Sequence, residues 1–321
     1  MDKEKLTQIH EKIKEYDTII ITPHARPDGD CIGTSIGLRD MLKTTYPEKS
    51  VYAVGEETPY VKFLGNLDHI EDHVFKEALV IAVDTGNEER IADQRYKDGA
   101  FLIKIDHHIN VSPYGDIEYV DTSRPAAALI ILDMFTLFEY EYKLTLEGAR
   151  ALFTGTLTDT GRFKYPGVGG DTFRHIAKLY DMGLDAQSVY RELDTKTEEL
   201  VRFKGYVLLN YEKTENGVAY IKMTDELIEE YHISIEDASS MVNELGVFED
   251  CPIWVLLAEY EEKIVRARIR SKGPAINEIA GQFDGGGHAM ASGANLGTWE
   301  RAEALLKVLD ERAKTYKETG K

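Results

Sequence analysis

The stretch Phe101-Leu102-Ile103-Lys104-Ile105-Asp106-His107-His108 decides how this chain is read: an apolar β-run ends in an acid and two histidines. Alone, the pattern is a weak signal. Three other segments share its grammar, a hydrophobic run closed by carboxylates: Thr18 to Asp30, Leu79 to Asp84 and Leu152 to Asp159. Four such ends can converge on one site.

Around that stretch, residues 18–22, 50–54 and 79–83 read as strands rich in β-branched residues, and 5–16 and 31–46 carry helical periodicity. Asp30 stands where the N-cap of the 31–46 helix is expected. Strands alternating with helices predict an α/β fold with a mostly parallel sheet flanked by helices, and such sheets bind ligands beyond the carboxyl ends of their strands. The acids sit at those ends. Helical patterns continue at 126–138, 145–157, 171–182, 186–193 and 197–210, the last reading as a connector. From Gly217 the pattern changes. A strand at 218–223 and helices near 225–231 and 235–245 precede a hairpin of 253–260 and 263–270 about the turn Glu261-Glu262. A helix near 275–282, a loop Asp284-Gly285-Gly286-Gly287-His288 and a final helix from Trp299 complete a smaller second α/β unit. The expected division is a catalytic domain over 1–190, a helical connector over 191–214 and a second domain over 215–321.

A chain of 321 residues is long for one core and fits two domains. A hydrophobic content of 43% with 30% charged residues is that of a soluble globular protein. No apolar run approaches the roughly twenty residues of a membrane helix, and Met1-Asp2-Lys3-Glu4-Lys5 lacks a signal-peptide core. The cytosol is therefore the expected compartment, with no membrane partner. Cys31 and Cys251, the only cysteines, lie far apart, against a disulfide framework or a thiolate zinc site; both read as small buried residues. A net charge of −19 opposes tracking along a long duplex nucleic acid, which requires basic grooves that displace counterions. Any anionic ligand must be small and locally held.

His24, Asp28, Asp30, Asp84, His107 and Asp159 supply imidazole nitrogen and carboxylate oxygen without thiolate. That donor set suits manganese or magnesium, with cobalt or zinc as alternatives. Six donors are too many for one ion that must leave room for substrate, and they suffice for two if one carboxylate bridges. Two such ions can activate a water and clamp a phosphoryl group, so hydrolysis of a phosphate ester is the natural reading. Singly, each segment has an ordinary explanation: Asp28-Gly29-Asp30 as a turn and helix cap, Asp84-Thr85-Gly86 and Asp159-Thr160-Gly161 as loops. Together, all at element ends, they point to a metal site. Farther on, Arg266, Arg268 and Arg270 alternate with Val265, Ala267 and Ile269, which puts three guanidiniums on one face of a strand. The glycines and His288 follow within twenty residues. Glycines let backbone N–H groups turn toward an anion, and arginine grips phosphate bidentately.

These motifs resemble the DHH phosphoesterase family, named for the run standing here as Asp106-His107-His108, and the resemblance extends over essentially the whole chain. His24-Ala25-Arg26-Pro27-Asp28-Gly29-Asp30 is similar to the family's first motif, Asp84 to its second and Asp159 to its fourth. Gly285-Gly286-Gly287-His288-Ala289-Met290-Ala291-Ser292-Gly293 resembles the signature of the DHH-associated C-terminal domain. With the stretch from Arg266 to Pro274, the match is nearest the branch of bifunctional oligoribonucleases (nano-RNases) and 3'-phosphoadenosine 5'-phosphate phosphatases. The resemblance implies that His24, Asp28 and Asp84 hold one manganese and that Asp30, Asp84, His107 and Asp159 hold another, with magnesium or cobalt as substitutes. It gives His108 a catalytic role as transition-state stabiliser or proton donor, beside Asp106 of the same motif. It makes Arg266, Arg268, Arg270, Gly286, Gly287, His288 and Ser292 candidates for gripping the nucleotide, with chemistry in a cleft between domains. The implied substrates are RNA of roughly two to five nucleotides, cut from its 5' end to mononucleotides, and 3'-phosphoadenosine 5'-phosphate. A homodimer is the implied assembly.

One departure stands out: after Val120-Asp121-Thr122-Ser123, relatives run through a serine-rich segment with a glutamate, whereas this chain has Arg124-Pro125-Ala126-Ala127-Ala128. The ligand positions are untouched, but hydroxyls that orient a ligand are missing, and Arg124 is the candidate to replace them as a phosphate contact. Three rivals compete with the main reading. A cyclic or linear dinucleotide phosphodiesterase shares both domains but carries membrane and sensor segments not seen here. An inorganic pyrophosphatase lacks the 285–288 signature. A nucleotide-binding regulator with a vestigial site is disfavoured by six competent donors.

Overall fold

Both faces of the first sheet are covered, so its strands read as continuous apolar runs rather than alternations. The computed structural model describes residues 1–320, which divide into two units, Met1–Thr195 and the residues from Lys196 on. The first unit runs α1 (Lys3–Glu15), β1 (Thr18–Thr22), α2 (Gly29–Thr45), β2 (Ser50–Ala53), β3 (Leu79–Val83), β4 (Phe101–Asp106), β5 (Ile117–Val120), α3 (Ala127–Leu137), α4 (Leu146–Asp159), α5 (Gly170–Asp181) and α6 (Ala186–Asp194). The strand order is β2-β1-β3-β4-β5, and every pairing is parallel. Ile19, Ile21, Ile81, Val83, Ile103 and Ile105 pack on one side with the apolar faces of α2, α3 and α4. Ile20, Val80 and Ala82 pack on the other side with Phe75, Tyr96 and Tyr114, residues of short turns and loops.

Helices α2 and α4 approach so closely that one backbone rests on the other. A Cβ at Gly33 would lie 2.5 Å from the Ala151 carbonyl oxygen and 2.8 Å from the Gly155 nitrogen. Only glycine permits that distance. The contact brings the start of α2, with Asp30, beside the end of α4, with Asp159.

The second unit comprises α7 (Glu198–Asn210), β6 (Glu212–Lys213), β7 (Val218–Met223), α8 (Asp225–Glu230), α9 (Ile235–Ser240), β8 (Ile253–Tyr260), β9 (Ile264–Ser271), α10 (Asn277–Gly281), β10 (Gly285–His288), β11 (Ala291–Gly297) and α11 (Trp299–Thr319). Its sheet has the order β10-β11-β9-β8-β7-β6, with β7 and β8 parallel and the other pairs antiparallel. Leu305, Leu306 and Leu309 of α11 pack on Val255, Leu257, Val265 and Ile269. Phe203 and Val207 of α7 pack with Ile221, Ala238 and Leu256.

Three local expectations need correcting. The glycine run 285–288 is an edge strand rather than a loop, because pairing with β11 overrides the weak strand propensity of glycine. The helix expected over 235–245 ends at Ser240 and continues as a 3-10 turn, Met241–Val247. The strand at Ile117–Val120 was not anticipated. Among the described residues, no helix is long and apolar enough to cross a membrane.

Candidate metal centre and arginine groove

The loop after β1 supplies three of the expected donors. Its helix cap is Asp28, not Asp30: Asp28 is extended (φ −102°, ψ −167°), and its carboxylate accepts the N–H groups of Asp30 and Cys31 at 3.0 Å each. Asp30 lies inside the first turn and is buried. Its Oδ2 accepts the Ala127 N–H at 2.6 Å and its Oδ1 the Ala128 N–H at 3.1 Å, so it caps α3, whose own N-cap is Ala126.

All six expected metal donors come together. His107 Nε2 is 3.2 Å from Asp84 Oδ1, 3.4 Å from Asp159 Oδ2 and 3.9 Å from Asp30 Oδ2. His24 Nε2 is 3.8 Å from Asp84 Oδ2 and 3.9 Å from Asp28 Oδ2. Asp84 therefore faces His24 with Oδ2 and His107 with Oδ1, and His108 Nδ1 lies 3.5 Å from the same Oδ1. Asp84 holds this position at φ +52°, a left-handed conformation unusual for a non-glycine residue, with its N–H donating to the Ile105 carbonyl at 2.9 Å. The ring nitrogens of His107 are sorted by a backbone acceptor. His107 Nδ1–H donates to the Arg124 carbonyl (3.1 Å), an assignment that leaves its Nε2 lone pair for a metal, whereas His24 Nδ1 stands between the Ala25 carbonyl (3.0 Å) and the Arg90 guanidinium (3.3 Å).

The electrostatics call for a cation. Burial, reinforced by Asp30, pushes Asp84 well above the carboxylate range and raises Asp159 to about 7. Burial opposes charge on His107, but Asp84, Asp30 and Asp159 overcome it and raise its pKa to about 10. Asp84 Oδ1 is buried without a hydrogen bond among the described residues. A buried acceptor among carboxylates, with the Nε2 atoms of two imidazoles within 4 Å of the same carboxylate, fits a divalent metal that displaces the bound protons.

His108 is placed differently. Its Nδ1 donates to Asp106 Oδ1 at 2.8 Å, and the same oxygen accepts the His107 and His108 N–H groups at 2.9 and 3.3 Å. Burial works against the Asp106 charge, yet the hydrogen bonds and charge of His108, together with Lys104, outweigh it and lower its pKa. The His108 side chain is 42% exposed, which leaves Nε2 as the ring nitrogen open to a ligand.

Three features escaped the sequence reading. Arg124 is not free for a phosphate: its Nε and Nη2 donate to Asp133 at 2.7 and 2.8 Å, and His175 Nε2 meets the same carboxylate at 2.9 Å. The Cys31 thiol lies at the centre rather than apart from it, accepting the His24 N–H at 3.1 Å, and burial pushes its pKa well up. Lys104, inside the apolar run of β4, is fully buried. Arg124 and Cys31 find their partners outside their own elements, and Lys104 is hidden inside an apolar run although Asp106 shares its strand.

In the second unit, Arg266, Arg268 and Arg270 share one face of β9 as expected. They line an open groove of about 560 Å³ with Tyr260, Gly286, Gly287 and Ser292. The Arg266 guanidinium lies 4.6 Å from the Tyr260 ring centroid. Gly287 has φ +132°, and a Cβ there would lie 2.6 Å from the Ala291 carbonyl oxygen. Ser292 is buried and its hydroxyl donates to the His288 carbonyl at 2.9 Å, tying β10 to β11. His288 is exposed on β10, outside the groove's lining.

A parallel sheet with acids and histidines at its strand ends, followed by an arginine-lined mixed sheet, matches two family models: "DHH family, N-terminal domain" over residues 18–156 and "DHHA1 domain" over 216–315. The chain belongs to the DHH family of phosphoesterases. It is 37% identical over 311 residues to the bifunctional oligoribonuclease and PAP phosphatase NrnA of Bacillus subtilis, covering 97% of this chain and 99% of that one. It is 39% identical over 284 residues to the probable bifunctional oligoribonuclease and PAP phosphatase NrnA of Streptococcus mutans, covering 88% and 91%. The crystal structure of an exopolyphosphatase-related protein from Bacteroides fragilis is similar with a TM-score of 0.86 at 26% identity, covering 98% and 97%.

Proposed function

We propose that this protein hydrolyses very short RNA from its 5' end to mononucleotides and removes the 3'-phosphate of 3'-phosphoadenosine 5'-phosphate to leave AMP. The observation that carries the reading is Asp84 standing between His24 and His107, with Asp28, Asp30 and Asp159 around them. The full-length likeness to the two NrnA proteins supplies the substrate class. In this reading His24, Asp28 and Asp84 hold one divalent ion and Asp30, Asp84, His107 and Asp159 the other, manganese in the first instance. Two such ions supply Lewis acidity toward phosphoryl oxygens and a nucleophilic water at neutral pH.

One chemical step covers both substrates. Water adds to phosphorus, the bond from phosphorus to a ribose 3'-oxygen breaks, and that oxygen takes a proton; in each case it belongs to a nucleoside 5'-phosphate. His108 Nε2 gives the proton, and Asp106 holds the ring by Nδ1. Arg266, Arg268 and Arg270 grip phosphate while the backbone at Gly286 and Gly287 seats the nucleotide, with His288 and Ser292 shaping that edge. Residues 1–190 thus carry the chemistry, 191–214 connect, and 215–321 bind substrate. An acidic protein with one local clamp suits a dinucleotide better than a polymer.

The test is turnover with manganese of a 5'-phosphorylated RNA dinucleotide, a long RNA, 3'-phosphoadenosine 5'-phosphate, a cyclic dinucleotide and pyrophosphate. Protein with Asp106→Ala, His107→Ala and His108→Ala is the blank. Fast conversion of the dinucleotide and of 3'-phosphoadenosine 5'-phosphate, with the long RNA slow, is expected. Preference for the cyclic dinucleotide would make this a signalling phosphodiesterase, and inactivity on all five would leave a binding protein.

A further inference from the structure

Lys104 is the residue of the motif region that the chemistry above does not use. It precedes Asp106 by two positions on β4, so the strand period places both side chains on the same face. Lysine is almost never fully buried unless paired, and Lys104 has no exposed surface. Its Nζ donates to the Gly86 carbonyl at 2.9 Å and to Asn110 Oδ1 at 3.0 Å, and it lies 4.5 Å from the Tyr114 ring centroid and 3.7 Å from Asp106 Oδ2. Each of these neighbours is an acceptor, an arrangement made for an ammonium. The Tyr114 hydroxyl donates to the Thr85 carbonyl at 2.6 Å, so the ring against the ammonium is itself tied to the Asp84 loop.

These contacts link two pieces of the site. Gly86 follows Asp84 by two residues, and Asn110 follows His108 by two. One ammonium therefore fastens the loop that carries Asp84 to the loop that carries the two histidines. It also faces Asp106 Oδ2, which is buried without a hydrogen bond among the described residues, while Oδ1 of the same carboxylate accepts from His108. Packing alone does not explain the choice of residue. A methionine of similar length fills the same space without the cost of taking an ammonium out of water.

We propose that Lys104 is a positioning residue for phosphoester hydrolysis: its ammonium fixes the Asp106 carboxylate as the acceptor of the His108 Nδ1–H, so that His108 presents its proton to the leaving oxygen. The proposal rests on the reading of His108 as proton donor, and its test separates the two. A ribose 3'-oxygen needs a proton to leave, whereas 4-nitrophenolate does not. Full-length protein saturated with manganese is assayed on a 5'-phosphorylated RNA dinucleotide and on bis(4-nitrophenyl) phosphate, with manganese uptake followed by electron paramagnetic resonance.

For Lys104→Met the expected result is a loss of at least thirtyfold in kcat on the dinucleotide with KM within threefold. On the nitrophenyl ester kcat falls less than threefold, and manganese uptake is unchanged. His108→Gln sets the benchmark for the same split. If His108→Gln splits the two substrates and Lys104→Met does not, the role of Lys104 is overturned and the proton-donor reading stands. If His108→Gln slows both substrates equally, the proton-donor reading falls and the proposal with it. Parallel loss on both substrates with loss of manganese would make Lys104 a purely structural residue. Should Lys104→Met fail to fold, Asn110→Ala removes one anchor of the ammonium, and a smaller split in the same direction is required of it; an equal loss on both substrates overturns the proposal.

Discussion

Asp30 Oδ2 accepts the N–H of Ala127 at 2.6 Å across ninety-seven residues of sequence, so a carboxylate of the candidate metal centre also caps a helix. The helix has no cap of its own, because Ala126 occupies that position. Asp30→Ala is therefore expected to lower stability in chelator near pH 3.8, where the raised carboxyls of the cluster no longer repel one another, by about 1–2 kcal/mol, the usual cost of a lost cap, and to lose metal binding as well. Urea denaturation in chelator checks this. Equal stability of the two proteins would assign Asp30 to the metal alone.

The carboxylate cluster is strained by its own charge when no cation is bound. Asp159 has a folded pKa of about 7 against an ordinary 3.8, raised by burial and by Asp30. A raised carboxyl pKa contributes stability below pH 3.8 that is lost as pH rises through about 7. In chelator at pH 8, Asp159→Asn should accordingly stabilise the protein. The side chain is 34% exposed, so water screens the repulsion, and the gain is about 1–2 kcal/mol rather than the full shift. Near pH 4 the gain should vanish. Thermal melts at the two pH values decide it, and a destabilised variant at pH 8 would contradict the sign.

Arg124 and Asp133 form a buried bidentate pair joined by His175, and the Arg124 carbonyl holds the His107 Nδ1–H. Removing one partner of a buried pair strands the other. Arg124→Met should cost about 3–5 kcal/mol, and loosening the His107 acceptor should weaken manganese binding roughly 10–100-fold. Calorimetric titration with manganese measures the second effect directly. Unchanged affinity in a folded variant would detach the pair from the metal centre.

The groove and the metal centre should respond independently. Gly287→Ala introduces a Cβ at 2.6 Å from the Ala291 carbonyl and a side chain at φ +132°, which distorts the β10 hairpin. Arg268→Ala removes one guanidinium from the groove. Both are expected to raise KM for the dinucleotide at least tenfold while manganese affinity stays within twofold. Loss of manganese with retained substrate affinity would invert this division of labour.

The buried imidazole of His10 gives a further pH signature. Burial lowers its pKa despite Glu141, and its Nδ1 meets the Tyr142 hydroxyl at 2.9 Å. A histidine whose folded pKa lies below 6.5 destabilises the fold as pH falls below 6.5. His10→Phe should flatten the decline in stability between pH 7 and 5.5, and an identical slope in the variant would exclude His10 as its source.

The candidate metal donors were legible because they follow apolar runs: the parallel sheet gathers those after β1, β3 and β4 at one edge, and Asp159 arrives there at the end of α4. Asp28 and Asp30 were harder to sort. In an Asp-Gly-Asp loop both acids stand at capping distance, and the choice was settled by Ala127 and Ala128, whose N–H groups lie far along the chain. Lys104 was hidden inside an apolar run where one polar residue looks incidental, and Arg124 could not be matched with Asp133 before α3 was in place. The alternating arginines of β9 were plain from their period of two. The strand character of 285–288 was not, since glycine carries no strand signal and only the pairing with β11 creates one.

At the outer edge of the second sheet, Gly285, Gly286 and Gly287 present peptide groups in place of side chains. Peptide groups are alike whatever residue bears them, and under the proposed function they would meet phosphate and ribose, the parts every nucleotide has in common, without consulting the base. A border made this way cannot spell. It suits a scavenger that clears mixed remnants of any sequence, and it shifts the work of discrimination from the letters of a substrate to its size.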